Sequence, residues 1–320
     1  MNRSPDQPLD LFSTLLMVLV CAIWGGAFVA IKVGLMDMPP LGSASLRFFI
    51  TTVVLFFIAR SQGVPILYTR AEARAVALIA LLFCYANLTT YIGTAHTTSG
   101  RATVFFYSQP VFLAVLAHYF LVNDPLTLRK GWGLLCAMVG LVVLFLPKLG
   151  GGSSSTVLGD LIVLSGALAT AVQNLVIKRA TGKIHPVALV LWGTVVSTLL
   201  LGACWWQFEQ NTSFVFSARA VSSVLYLSLI SAAFGFVAFA WLLQHNSASR
   251  VAALVFLAPA FGVLFAKLFL HETLTDLQLL GIVGVCVGVY IVNSSGNSSG
   301  NSSGTPQVKI PLAKKVSAKA

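Results

Sequence analysis

The chain has 320 residues, of which 57% are apolar and 9% are charged. A soluble domain carries roughly 25% charged residues, so this composition excludes an ordinary soluble globular protein. The net charge is +11, but most of the charged residues lie in short connections between apolar runs, where they set membrane orientation. We therefore expect an integral membrane protein with the lipid bilayer as a partner and without nucleic acid.

Ten apolar runs follow one another along the chain, each near the ~20 residues that a helix needs to cross a bilayer. The runs are continuous rather than alternating, which favours helices over the strands of a barrel. The sequence therefore predicts an all-α integral membrane fold with ten transmembrane helices. The predicted spans are 11–34, 41–59, 75–95, 99–122, 129–147, 157–180, 186–206, 220–243, 247–270 and 275–293.

The distribution of lysine and arginine predicts the orientation of the spans, because cations concentrate in cytoplasmic loops. With the N-terminus in the cytoplasm, the cytoplasmic segments hold 14 of the 20 cations, whereas the outer connections clearly hold only Lys148 and Arg219. An even number of spans then returns the C-terminus to the cytoplasm. Residues 294–320 repeat Asn-Ser-Ser-Gly and end in lysines, which predicts a flexible basic tail, either native or a cloning remnant.

The two halves of the chain resemble each other at a nearly constant separation. Pairs of identical charged residues, prolines and glycines recur 148 or 149 residues apart. These pairs are His96 with His245, Arg101 with Arg250, Pro110 with Pro259, Gly133 with Gly281, and Gly140 with Gly288. Each half contains five spans, an odd number, so related halves must insert with opposite orientations. The sequence predicts two inverted five-helix repeats, 11–147 and 157–293, joined by a linker at 148–156.

Several motifs follow one another along the chain. The first span contains Ile23-Trp24-Gly25, and the fourth and ninth spans are centred on prolines. The turn Phe269-Leu270-His271-Glu272-Thr273-Leu274 precedes a glycine-spaced last helix. In this order the motifs resemble the drug/metabolite transporter superfamily over residues 11–293, and the turn is similar to that of its EamA-type exporters. The resemblance implies alternating-access transport of small metabolites, often amino acids or amphipathic cations, in which spans one to four and six to nine surround the cavity.

Matched prolines interrupt two of the predicted spans. Pro110 and Pro259 lie about ten residues into the fourth and ninth spans, ~15 Å deep. Each proline removes a backbone hydrogen bond and predicts a kink. We interpret the two kinks as hinges near a substrate site at the bilayer midplane; static packing kinks are the alternative.

Polar side chains at helical spacing mark helix faces that point at protein or water rather than lipid. Each of them is interpreted either as a substrate contact or as a hydrogen bond between helices, and we expect at least one to contact substrate. The candidates are Asn87 and Tyr91 in the third span, Tyr107 and Gln109 in the fourth, and Gln173 and Asn174 in the sixth.

Aromatic side chains and one arginine complete the candidate site. Trp24, Trp192 and Trp241 are predicted to wall a pocket for apolar, aromatic or cationic solutes; membrane-interface belts are the alternative. Arg47 lies inside the second span. It either extends outward to the interface, pairs with a carboxylate or carbonyl, or binds an anionic group of the substrate.

The predicted function is secondary transport, most simply export of a small-molecule substrate such as an amino acid or an amphipathic compound, across a bacterial inner membrane. The alternative is an antiporter of phosphorylated or nucleotide-linked solutes, which needs at least two cations facing the cavity, with Arg47 and Lys267 as candidates. A membrane enzyme would need clustered carboxylates for Mg²⁺, and none cluster within the spans. We expect no catalytic residue, no metal site and no cofactor.

Gly284 and Gly288 are four residues apart in the last span, a spacing that permits close helix packing. This packing is predicted either within the chain or between two copies in a homodimer.

Overall fold

The computed structural model describes residues 9–65, 68–121, 124–149, 154–209, 211–270 and 274–294. Within these residues, ten helical segments are long and apolar enough to cross a membrane, which confirms the predicted all-α fold. The helices are α1 Leu11–Gly34, α2 Pro40–Ser61, α3 Arg70–His96, α4 Ser99–Phe106, α5 Gln109–Phe120, α6 Leu128–Phe145, α7 Ser154–Arg179, α8 Pro186–Phe208, α9 Ala218–Leu225, α10 Gly235–His245, α11 Ala248–Leu254, α12 Leu257–Leu270 and α13 Asp276–Asn293. The central part of the predicted linker, 150–153, and the tail from residue 295 lie outside the described residues.

Local chemistry explains where several helices begin. α3 starts at Arg70, five residues before the predicted start, because Thr69 and Glu72 form a capping box that satisfies the first backbone N–H groups. Pro40 and Pro186 are the first residues of α2 and α8. Proline suits this position, where its fixed φ is already helical and no N–H is needed.

The fourth and ninth spans are each broken into two helices near their middle. Residues 107–108 separate α4 from α5, and residues 255–256 separate α11 from α12. Pro110 is the second residue of α5 and Pro259 the third of α12. A proline ring clashes with the carbonyl four residues earlier in a continuous helix. This clash accounts for interruptions at matching places in the two halves.

The eighth span contains a π-helical segment, Tyr226–Phe234, between α9 and α10. Two of its carbonyls accept hydrogen bonds from other helices: Ser231 O from Trp24 Nε1 at 3.2 Å and Ser228 O from Thr51 Oγ1 at 3.1 Å. π segments are rare and concentrate at functional sites. Here these two hydrogen bonds connect the eighth span to α1 and α2.

Packing between the helices follows a two-fold relation between the halves. α6 packs against its counterpart α13, and α2 packs against its counterpart α8. The contact of α3 with α7 has its image in the contact of the eighth span with α1. Because each half makes five crossings, two halves related in this way have opposite orientations in the membrane.

Glycines bring α6 and α13 into backbone contact at two places. A Cβ atom on Gly288 would lie 2.6 Å from Gly133 O, and a Cβ on Gly281 would lie 2.8 Å from Gly140 O. Gly133 corresponds to Gly281 and Gly140 to Gly288 in the repeat, so the two contacts are images of each other. The described glycines that favour close approach are therefore used within the chain.

Hydrogen bonds between distant connections define the two ends of the bundle. We call one end the Asp124 face; there Lys178 Nζ donates to Asn246 O at 2.6 Å and Arg179 donates to Phe120 O at 2.9 Å. We call the opposite end the Asp37 face. Ten crossings place the first described residues and the end of α13 together at the Asp124 face.

Candidate functional site

An aromatic cluster joins helices of both halves inside the bundle. The ring of Trp24 on α1 lies 5.7 Å from Phe236 and 5.2 Å from Phe239, both on α10. Phe236 lies 5.2 Å from Phe83 on α3, and Phe83 lies 5.6 Å from Phe48 on α2. We call these five residues the aromatic cluster. Edge-to-face contacts of this kind add to the burial of the rings.

The aromatic cluster lies deep in the membrane-spanning region. Trp24, Phe48 and Phe83 each lie thirteen residues from the end of their helix at the Asp124 face. At 1.5 Å per residue that distance is about 20 Å, whereas a hydrocarbon layer is about 30 Å thick. The cluster is therefore too deep to be an interface belt.

Arg47 lies beside the aromatic cluster and points inward. Its side chain is 9% exposed, and its guanidinium carbon lies 4.9 Å from the centre of the Phe48 ring and 6.0 Å from that of Phe236. The side chain does not extend to the interface. Cation–π attraction holds the charge against the rings.

Three predicted amide side chains are buried on α5 and α7, which pack against each other. Gln109 is 8% exposed, Gln173 9% and Asn174 5%. Gln109 Oε1 has no hydrogen-bond partner among the described residues. A buried amide oxygen without a partner is costly in a membrane interior, so Gln109 favours a site that water or a solute fills.

The other three predicted polar residues lie on α3 and at the break between α4 and α5. Asn87 Nδ2 donates to Phe83 O on its own helix at 2.8 Å, which leaves its oxygen for another partner. Tyr107 is buried at the break itself. Tyr91 lies in α3, and its side chain is outside the parts that the structure describes.

The other two predicted tryptophans do not join Trp24 in the aromatic cluster. Trp241 lies four residues before the end of α10, where it stacks on His245 at 4.5 Å and meets Phe12 edge-on. This position near the Asp124 face is typical of an interface aromatic. Trp192 is half-buried on α8 and packs against the main core.

The Asp124 face is closed by a buried carboxylate. Asp124 accepts hydrogen bonds from Lys130 Nζ at 2.9 Å, from the backbone N–H of Ser249 at 2.8 Å and from Ser247 Oγ at 2.9 Å. Burial by itself raises the pKa of Asp124, but the Lys130 ammonium and the bonds from Ser249 outweigh burial and leave the pKa below its ordinary value. The carboxylate is therefore ionised and joins the two halves.

Two ion pairs between described residues lie at the Asp37 face. Asp37 is paired with Arg219, whose Nε lies 2.6 Å from Oδ2, and it also accepts a hydrogen bond from Ser217. These bonds, first that of Arg219 and then that of Ser217, lower the pKa of Asp37 to about 2. On the same face Arg101 pairs with Asp160, with Nε 3.0 Å from Oδ2.

The two faces differ in how the broken spans meet. At the Asp124 face α5 packs against α11, and α7 packs against α10. The repeat maps the first contact onto α12 with α4 and the second onto α1 with α3, both at the Asp37 face. Among the described residues, neither image pair packs to a comparable extent. Judged by these helix pairs, the bundle is closed at the Asp124 face and more open at the Asp37 face, where the ion pairs Asp37–Arg219 and Arg101–Asp160 still join the two halves.

Comparison with known families identifies the architecture. The profile of the EamA-like transporter family matches residues 11–146 and again residues 157–294. The chain belongs to the EamA-like transporter family. The resemblance inferred from the sequence motifs is thereby confirmed, and this member of the family is an integral membrane transporter.

Relatives of this EamA-like transporter match over nearly their whole length. It is 30% identical to the uncharacterized transporter YoaV of Bacillus subtilis, covering 86% of this chain and 94% of that protein. It is also 30% identical to a probable amino-acid metabolite efflux pump of Escherichia coli, covering 86% and 93%. A solved crystal structure with 17% identity matches with a TM-score of 0.78 over 87% of this chain and 95% of that one, which shows the same fold.

The sequence predicts only one member of the aromatic cluster of this EamA-like transporter, Trp24. The other members, Phe48, Phe83, Phe236 and Phe239, are four of 22 phenylalanines in a largely apolar chain, so nothing in the sequence distinguishes them. The one available signal was Arg47, since a cation inside a span marks a face that turns away from lipid.

Proposed function

We propose that this EamA-like transporter is an alternating-access secondary transporter that exports small metabolites, such as amino acids or amphipathic compounds. Its location is a bacterial inner membrane, with both termini in the cytoplasm. The substrate passes between the two halves, beside the aromatic cluster and the buried amides of α5 and α7.

One observation carries the alternating-access part of the proposal. α5 and α11 pack together at the Asp124 face, whereas their counterparts α12 and α4 do not pack comparably at the Asp37 face. In an inverted repeat, each half can adopt the conformation of the other, and exchanging the two conformations closes the open face and opens the closed one. On this proposal, the structure is one of two conformations that contain the same helices and differ in which face is closed.

The charge distribution supports the orientation. The Asp124 face holds the cationic ends and connections of α2, α3, α6 and α7, which include Arg60, Arg70, Arg129 and Arg179. Cations favour the cytoplasmic side, so the closed face is cytoplasmic and the open face is outside. Release of a solute to the outside from this state corresponds to export, the activity that the name of the Escherichia coli relative describes.

The composition of the interior supports a small amphipathic substrate. Five aromatic rings offer apolar contact for the body of a solute, and the buried amides Gln109, Gln173 and Asn174 offer hydrogen bonds. A polar head and an apolar body are both features of amino acids and amphipathic metabolites.

The proposal is tested by counterflow of radiolabelled amino acids in proteoliposomes. Trp24→Ala and Asn87→Ala are expected to lower the flux at least tenfold while the protein remains folded in detergent. Trp206→Ala provides the matched control, since Trp206 is exposed near the end of α8 and its loss should leave the flux unchanged.

The opposite pattern contradicts the proposal. If both inward variants transport at the wild-type rate, neither residue contacts the substrate. If folded wild-type protein moves none of the tested amino acids and amphipathic metabolites, the substrate class is wrong.

A further inference from the structure

We propose that Lys178 and Lys32 act as alternate locks in the transport cycle. Lys178 holds the Asp124 face closed by binding the end of α10. Lys32 holds the Asp37 face closed in the other conformation by binding the end of α3. This inference rests on the alternating access of the proposed function and assigns two gating residues to it.

Lys178 joins two helices of the closed face. It lies in the last turn of α7, and its Nζ donates to Gln244 O at 3.2 Å and to Asn246 O at 2.6 Å. These carbonyls belong to the C-terminal end of α10, where carbonyls lack partners within the helix and the helix dipole places negative partial charge. The ammonium therefore makes two charge-assisted hydrogen bonds across the α7–α10 contact that closes this face.

Two neutral side chains also take part in the contact of α10 with the connection that follows α7. Gln244 Nε2 donates to Ile184 O at 3.0 Å, and Thr181 Oγ1 donates to Gln244 O at 3.3 Å. In the sequence repeat, Ala95 stands at the position of Gln244. Leu35 stands at that of Thr181, so neither side-chain bond can recur in the first half.

The lysine, by contrast, recurs in the first half. Lys32 lies 146 residues before Lys178, and Pro40 lies 146 residues before Pro186. Lys32 is two residues from the end of α1 at the Asp37 face, and its side chain is outside the parts that the structure describes. Cations are disfavoured on the outer side of a membrane, so the charge bias that sets orientation does not account for a lysine there.

The repeat also gives Lys32 a matching partner. The carbonyls that Lys178 binds correspond to those of Ala95 and Thr97 at the C-terminal end of α3. The contact of α7 with α10 corresponds to that of α1 with α3, and in this structure α1 and α3 do not pack to a comparable extent. When the Asp37 face closes, the Lys32 ammonium binds these two carbonyls and Lys178 releases its own.

The test measures how each lysine shifts the balance between the two conformations. The reporter Ala248→Cys is introduced into a variant whose native cysteines are replaced by serine. Ala248 is 0% exposed and lies between Ser247 and Ser249, which both bind Asp124 at the closed face. In protein reconstituted in nanodiscs, the rate at which a maleimide labels this cysteine increases with the fraction of molecules open at the Asp124 face.

The two lysine variants should shift the labelling rate in opposite directions. Lys178→Met should raise it roughly threefold or more, and Lys32→Met should lower it roughly threefold or more, because each substitution destabilises a different conformation. A purely structural role would lower stability without this opposition of sign. Lys178→Arg should label at about the wild-type rate, since a guanidinium keeps donors for both carbonyls.

Arg179→Met is the matched control. Arg179 is an exposed cation next to Lys178, and it donates to Phe120 O on α5. The α5–α7 contact has its image in the α12–α1 contact, and both are present in this structure, so exchanging the conformations keeps them. Loss of Arg179 should therefore leave the labelling rate unchanged.

Changes of the same sign in Lys178→Met and Lys32→Met, or no change in either of them, would overturn the inference. Lys32 lies at the opposite end of the bundle from the closed face, so Lys32→Met decides the matter even if Lys178→Met does not fold. Counterflow by wild type, measured in parallel, separates the two proposals. Failed labelling predictions with intact wild-type flux remove the locks alone, whereas absence of flux from folded wild type contradicts the proposed function.

Discussion

Asp124 holds the first turn of α11: its carboxylate accepts hydrogen bonds from the backbone N–H of Ser249 at 2.8 Å and from Ser249 Oγ at 2.5 Å. Lys130, from the same half as Asp124, donates to the same carboxylate at 2.9 Å. In the proposed transport cycle, opening the Asp124 face would break the bonds to Ser249 but not the pair with Lys130. The buried charges would then stay paired while water replaces the contact between the halves.

Replacing Asp124 with asparagine should destabilise the transporter strongly. Lys130 is 3% exposed and would keep its charge without the carboxylate, which costs on the order of 3 kcal/mol. Thermal unfolding in detergent measures the loss. Asp276→Asn, at an exposed acid in the first turn of α13, should change stability by only a few tenths of a kcal/mol.

The double variant Asp124→Asn/Lys130→Met distinguishes the cost of an unpaired buried charge from the cost of disturbing the packing around it. It should recover much of the stability lost in Asp124→Asn, because no uncompensated charge remains. An additive effect of the two substitutions would show that the pair does not act as described.

The Asp37–Arg219 pair should make no contribution to pH dependence near neutrality. The pKa of Asp37 is lowered from 3.8 to about 2 in the folded protein. The stabilisation is therefore complete above about pH 4 and disappears as the pH falls through 2. Asp37→Asn should flatten the unfolding profile below pH 4 and leave the pH dependence of transport between 5 and 8 unchanged.

A change in the neutral pH profile of transport in Asp37→Asn would assign Asp37 a role in proton coupling, contrary to this account. Thermal unfolding across the acid range, together with proteoliposome flux across the neutral range, provides both measurements on one variant.

Adding a methyl group at the α6–α13 crossing should separate the two helices. A Cβ on Gly288 would lie 2.3 Å from Ala137 N and 2.6 Å from Gly133 O. Both are backbone atoms that cannot turn away, so Gly288→Ala should lower stability by about 1–3 kcal/mol.

Gly131→Ala is the control for that substitution. Gly131 lies on α6, and a Cβ there would meet nothing within 4 Å. Alanine favours the helix over glycine by about 1 kcal/mol, so Gly131→Ala should keep or raise the unfolding temperature. Equal effects of Gly131→Ala and Gly288→Ala would contradict the close helix crossing.

The sequence predicts the architecture well because its strongest signals are periodic or paired. Continuous apolar runs define the spans, and Pro110 and Pro259 at equal separation from the other repeated residues mark the two broken helices. The capping box at Thr69 shifted one helix start, since a polar first turn lies outside an apolar run.

The sequence cannot predict which face is closed. Two inverted repeats allow two conformations, in which the contacts of one face in the first are made at the other face in the second. A small difference in free energy between these conformations decides which face is closed. The assembly of Trp24, Phe83 and Phe236 is hidden for a related reason. Phenylalanines on any face of an apolar helix look alike until the neighbouring helix is known.

Cysteine cross-linking tests alternating access through inverted repeats most directly. In a variant without the native cysteines, the pair Asp124→Cys/Ser249→Cys bridges the closed face, and Lys130→Met is added so that no buried charge is left unpaired. The pair Gly100→Cys/Glu272→Cys occupies the positions that correspond to Ser249 and Asp124 in the sequence repeat. The account predicts that either bridge stops flux in proteoliposomes, that a reductant restores it, and that the second bridge forms only during turnover. Continued flux with the first bridge in place, or a second pair that never bridges, would contradict the account.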